Sequence, residues 1–329
     1  MVCILYVIAI GTLLGMVGLL VERVLPPTTT SRRWIWCAVI AINMAIPGIY
    51  RTQHKSSVTE VLENQVVPSH LGHAVGTASL NALNEGWAAR IESLNPMIQQ
   101  VWRITAGILV LWGLATAARV YFLVARSRRR SASGAPSVVD GVSVLVTDSV
   151  GPATVGVLRS RVLVPQWVLA LPRVQRRYVI RHEEEHRRSH DSLVLFVASL
   201  TLILAPWNVA LWWQLRRLRL AVEMDCDNRV VSALGDANAY GELLFKVAQA
   251  ASRGPRLQPA FLGAGMLERR LIALVAPTPL RHVQRFLLPA AALCLLYLVV
   301  SMPHPFLDVK STEHATYSAQ APQVIVPAR

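Results

Sequence analysis

The chain has 329 residues, 53% of them hydrophobic and 16% charged, with a mean hydropathy of +0.41; so apolar a composition excludes an ordinary soluble domain and directs attention to membrane segments. The 33 Lys and Arg against 19 Asp and Glu give a formal charge of +14, but the basic residues stand beside apolar runs, where they orient a protein in a bilayer rather than bind nucleic acid. Cys3, Cys37 and Cys294 lie inside apolar runs and Cys226 lies alone in a charged segment, so neither a disulfide framework nor a Cys-based metal pattern follows.

A hydrocarbon core of about 30 Å takes roughly 20 apolar residues at about 1.5 Å each. Four stretches approach that length: 3–21, 34–50, 104–124 and 286–303. The first lacks a basic segment before it and a small-residue cleavage site after it, so it reads as a retained span rather than a cleaved signal peptide. Aromatic residues Trp34 and Tyr50 close the second at both ends, and Arg119 in the third is near enough to an end to reach the headgroups. Arg23, Arg32 and Arg33, then Arg126 to Arg130, then Arg269, Arg270, Arg281 and Arg285 mark the regions expected to be cytoplasmic. The N-terminus, the 51–103 connection and the 304–329 tail are then expected outside, and four spans satisfy the alternation.

Within the outer connection, Leu80, Leu83, Trp87, Ile91 and Leu94 have helical spacing, which predicts an amphipathic helix lying on the membrane or on the protein, as a sensor surface or a packing cap. His54, His70 and His73 in the same connection match no metal spacing and read as surface histidines. Residues 126–141 read as a basic linker. Beyond it, 143–147 and 161–165 are short, β-branched and bounded by Gly or Pro, which predicts two strands in a hairpin around residues 151–156. A helix is expected to start near Pro172 and run through His182-Glu183-Glu184-Glu185-His186.

Four residues apart on a helix, His182 and His186 project from one face and can share a single tetrahedral zinc ion. Glu183 then stands beside the metal, placed to take a proton from the attacking water and deliver it to a leaving amine. Glu184 and Glu185 point elsewhere, toward solvent or neighbouring polar groups. A catalytic zinc takes three protein ligands, and Glu223, 37 residues after His186, fits as the third. Asp227 follows one helical turn later and is placed to accept the second ring N–H of a ligand histidine; Asp225 points away from both. His190 falls on the histidine face but about 12 Å beyond His182, too far for the same metal. Asp191 either orients a ligand or packs the helix end.

Between the histidines and Glu223 lie 24 uncharged residues, 192–215. One complete crossing would put Glu223 on the wrong side of the bilayer. Pro206-Trp207-Asn208 breaks the stretch into two helices of roughly 18 Å, which predicts a re-entrant, membrane-seated hairpin with Trp207, Trp212 and Trp213 as interfacial anchors. Such a hairpin holds the site at the membrane surface.

The run Thr154-Val155-Gly156 with Val162-Leu163-Val164-Pro165, then His182-Glu183-x-x-His186 closing on Asp191, then Pro206-Trp207-Asn208 and Glu223-x-x-Cys226-Asp227 resembles the BlaR/MecR-type membrane metallopeptidases over about residues 100–300. The resemblance implies a mainly α, polytopic bacterial inner-membrane protein with about four transmembrane helices. Its cytoplasmic α+β gluzincin-type zinc domain, 142–285, would sit between the third and fourth spans. It also implies a signalling peptidase that cleaves itself and leads, directly or indirectly, to loss of a transcriptional repressor. The expected partners are the bilayer and a protein substrate; a homodimer is left open. After the last span only 304–329 remain, so β-lactam sensing by a penicillin-binding domain is not expected. A housekeeping membrane gluzincin and a non-catalytic scaffold are the alternative readings.

Overall fold

The computed structural model describes residues 2–24, 32–46, 95–130, 137–147, 151–252, 265–275 and 282–301. The expected amphipathic helix around Leu80 to Leu94, the histidines at 54, 70 and 73 and the 304–329 tail lie outside the described residues.

Those residues are mostly helical. In chain order they form α1 (Val2–Val24), α2 (32–46), α3 (Asn95–Arg130), β1 (Ser137–Val139), β2 (Val142–Thr147), β3 (Ala153–Val155), β4 (Arg161–Pro165), α4 (Gln166–Leu169), α5 (Arg173–Arg188), α6 (Asp191–Leu204), α7 (Val209–Leu234), α8 (Ala237–Ser252), α9 (Met266–Val275) and α10 (His282–Ser301). Ile4–Val24 and Gln99–Arg126 are long and apolar enough to cross a bilayer, whereas Asp191–Leu204 and Phe286–Ser301 are apolar but shorter. Two of the four expected spans thus meet that measure within the described residues. The third helix also continues to Arg130, and β1 occupies part of the stretch read as linker.

Tyr6, Ile10 and Leu14 of α1 close one core with Trp36 and Ile40 of α2, Leu202 of α6, Leu211 and Leu218 of α7 and Val299 of α10. Antiparallel packing of α2 on α7 follows from two contacts at opposite ends: Asn43 with Gln214, and the backbone of Arg32 with Asp225. Gln214 is wholly buried; its amide donates to Gly11 O at 2.7 Å and accepts from Asn43 Nδ2 at 3.2 Å. At Gly15, a Cβ would collide with the Trp213 ring, so glycine is what permits α1 to approach α7. Trp213 also meets Trp36 edge-on at 5.8 Å, so this tryptophan packs between helices.

The α6–α7 hairpin turns over residues 205–208. Asn208 caps α7, its Oδ1 accepting from the amides of Ala210 and Leu211 at 3.1 and 3.3 Å. Two indoles close carbonyls at the turn: Trp102 Nε1 donates to Leu204 O at 3.0 Å and Trp212 Nε1 to Pro206 O at 2.9 Å. Outward from the hairpin project Phe196, Val197, Leu200 and Leu204, all exposed. Such a face is unusual for a helix in water and ordinary for one in lipid.

The sheet order is β1-β2-β4-β3. Valine-rich β2 and β4 pair in parallel, Val144 opposite Val162, instead of forming the expected hairpin; β3 lies on the far side of β4, antiparallel to it, with Thr154 opposite Val162. The reversal depends on Gly156, whose φ of +100° suits glycine and whose Cβ position lies 2.7 Å from Arg159 O. One sheet face packs on α5, α7 and α8 through Val162, Val164, Ile180, Cys226 and Tyr240. On the other, Val120 and Val124 of α3 pack against Leu145, Val155 and Leu163, joining the long helix to the strand nearest the site.

Candidate metal centre

Helix α5 begins after Pro172, whose missing N–H costs nothing at a helix start. It ends at Arg188, because Ser189 closes the last turn and His190 takes a left-handed φ of 53°. His190 therefore leaves the helix and the histidine face on which its spacing had placed it, and it is exposed. Asp191 opens α6 from this corner and is folded back under the end of α5.

The Nε2 atoms of His182 and His186 stand 3.2 Å apart, and Glu223 Oε2 of α7 lies 3.7 and 3.9 Å from them. Three ligands of one tetrahedral zinc ion, each about 2.1 Å from it, are separated by about 3.4 Å. The other ring nitrogens are engaged elsewhere. His186 Nδ1 lies 2.8 Å from Asp191 Oδ2, and His182 Nδ1 lies 2.9 Å from the Tyr240 hydroxyl, which itself donates to Asp227 Oδ1 at 2.8 Å. These partners assign the proton to Nδ1 on both rings. Both Nε2 atoms then converge with a carboxylate oxygen, the nitrogen and oxygen types that ligate a divalent cation. Burial opposes charge on the rings, but the Cys226 and Glu223 side chains outweigh it, raising the His182 pKa to about 10 and that of His186 well above its usual range. The centre of the site favours positive charge.

Among the described residues, His182, His186 and Cys226 also form a compact group, their ligand atoms all within 4.8 Å. The sequence had suggested no metal role for this cysteine. Its Sγ lies 3.3 Å from His182 Nδ1 and 3.3 Å from His182 O. Both Cys226 and Glu223 thus stand within reach of the histidine pair.

Glu183 is buried beside the pair, and Thr154 of β3 reaches it twice, its Oγ1 lying 2.6 Å from Glu183 O and 3.1 Å from Glu183 Oε2. Glu184 and Glu185 are buried too, not solvated: Glu184 pairs with Arg187 and Arg188, and Glu185 with Arg181 and Arg229. Asp227 stays 3.5 Å from His182 Nδ1, so its link to the ring runs through Tyr240. Asp225, on the other side of α7, accepts the backbone amides of Arg32 and Arg33 at 3.1 and 3.0 Å.

Arg270 of α9 is the largest departure from the sequence reading, which had placed it among the charges flanking the last span. Its guanidinium grips Asp227 through two nitrogens at 2.8 and 2.7 Å and reaches Glu223 Oε2 with the third at 2.9 Å. Burial raises the Glu223 pKa, yet Arg270 and the two histidines together hold it well below the usual carboxylate range. Tyr240 and Thr154 belong to no metal spacing. Thr154 was visible only as part of the family-like run, without a role.

A histidine pair on one helix, a glutamate from a second and a buried glutamate beside them define the H-E-x-x-H class of hydrolase site. The family model described as BlaR1 peptidase M56 matches residues 3–274, and the chain belongs to this peptidase family. No curated protein and no solved structure matches it.

Proposed function

We propose that the protein is a membrane-seated, zinc-dependent endopeptidase that transduces a signal by regulated proteolysis. The observation carrying this reading is the convergence of His182 Nε2, His186 Nε2 and Glu223 Oε2 within 3.2 to 3.9 Å of one another. These three residues would hold the ion, which when bound supplies Lewis acidity to the water and the scissile carbonyl. Glu183 takes the proton of the attacking water and passes it to the departing amine. Thr154 donates to Glu183 Oε2 and keeps that carboxylate turned to its task. Because β3 lies at the sheet edge, an extended substrate backbone can pair along it and arrive beside Glu183.

Family membership and the order of the motifs support signalling through self-cleavage and loss of a repressor. The arginines flanking the apolar runs other than Arg33 and Arg270, chiefly Arg23 and the cluster from Arg126 to Arg130, support a bacterial inner-membrane protein with its site on the cytoplasmic side. The test is the full chain in lipid nanodiscs, loaded with zinc and compared with Glu183→Ala. Equal metal content with cleavage, including self-cleavage, lost in the variant is expected; cleavage that persists undiminished would refute the mechanism. Proteomics of cells expressing the two forms then identifies the substrate. Loss of a transcriptional repressor supports signalling, whereas accumulation of uncut membrane proteins in the variant points to quality control instead.

A further inference from the structure

Arg33 was read as a charge flanking a span, yet its side chain is largely buried and does not face headgroups. Its Nη1 donates to Asp191 Oδ1 at 2.5 Å and to Ser189 O at 3.1 Å, the carbonyl closing the helix that bears both histidines. The other Asp191 oxygen takes His186 Nδ1 at 2.8 Å. A carboxylate with a side chain 3% exposed requires a donor at each oxygen. Arg229 cannot supply the missing one: it reaches Oδ2 at only 3.4 Å and is held by Glu185 at 3.1 Å. Arg33 itself is fixed by Asp225, which accepts the amides of residues 32 and 33 and stands two residues beyond Glu223 on α7. The first turn of α2 is thus fastened to both helices that carry the candidate ligands.

We propose that Arg33 is a positioning residue for His186, acting through Asp191, so that the start of α2 sets the geometry of the metal centre. The proposal rests on the zinc reading above. Remove the guanidinium, and Asp191 Oδ1 loses its donor, the carboxylate turns, and the imidazole it holds turns with it. Since one nitrogen makes both contacts, an ammonium can largely replace it.

The experiment uses the full chain in nanodiscs as wild type, Arg33→Ala, Arg33→Gln and Arg33→Lys. Zinc affinity is measured by chelator competition, and the visible absorption spectrum of each Co2+-loaded form is recorded. Arg33→Ala and Arg33→Gln should bind zinc about tenfold or more weakly and shift the Co2+ bands, with kcat falling and KM unchanged. Arg33→Lys should stay near wild type, and millimolar guanidinium, but not the same concentration of NaCl, should restore the alanine variant. If Arg33→Ala fails to fold, Arg33→Gln carries the same expectation. Wild-type affinity and spectrum in the neutral variants would overturn the proposal alone; a wild type that binds neither Zn2+ nor Co2+ would overturn the zinc reading and the proposal with it.

Discussion

Tyr240 places its hydroxyl 2.9 Å from His182 Nδ1 and passes the contact on to Asp227 at 2.8 Å. Tyr240→Phe keeps the stack on the Tyr178 ring, whose centroid is 5.4 Å away, and removes only the bridge. Zinc binding should weaken about tenfold, as for other groups that orient a metal-bound histidine, while the fold persists. Chelator competition on the two proteins decides it; an unchanged affinity would mean that the bridge does not set the ring.

Glu223 and Cys226 are rival third donors, and substitution separates them. Glu223→Ala should abolish stoichiometric zinc, whereas Cys226→Ser should retain it with at most a modest loss. Metal analysis of the purified variants is sufficient, and the reverse outcome would transfer the ligand role to the thiol.

Arg270 compensates two carboxylates at once. Arg270→Met should destabilise the metal-free protein by about 3 kcal/mol, the scale on which breaking a buried pair acts. Saturating zinc should narrow the deficit, because the Glu223 charge then has another partner and ligand binding favours the folded state. Arg270→Lys should not rescue, since one ammonium cannot grip Asp227 through two nitrogens and reach Glu223 with a third. Thermal unfolding in detergent, with and without a chelator, reads all three.

Gln214 and Asn43 should behave as one unit. Gln214→Leu leaves Asn43 Nδ2 without its acceptor and should cost about 1 kcal/mol; adding Asn43→Leu should recover most of that. Additive losses in the double-mutant cycle would argue against the pair.

The histidine pair and Glu183 were legible because helical spacing alone puts such groups within reach of one another, and Glu223 because a break at Pro206 returns the chain to the same side. Asp227 was legible only in part: spacing brings it to 3.5 Å, but only tertiary packing supplies Tyr240 between. Arg33 and Arg270 looked like headgroup charges because an arginine beside an apolar run has the same sequence context whether it faces lipid or a buried carboxylate. The strands were located correctly by their β-branched residues, but parallel pairing was not visible, since a short Gly-containing connection normally makes a hairpin. A three-residue strand, β3, was hidden inside that connection and carries the threonine that holds Glu183.

The turn joining α6 to α7 meets part of its hydrogen-bonding needs from within. Its helix-start amides are answered by Asn208 and two of its carbonyls by indoles, one of them from α3. Irregular backbone is normally excluded from hydrocarbon because water is needed to solvate it. Here neighbouring side chains stand in for that water at two amides and two carbonyls, which lowers the cost such a turn would meet in an apolar surrounding.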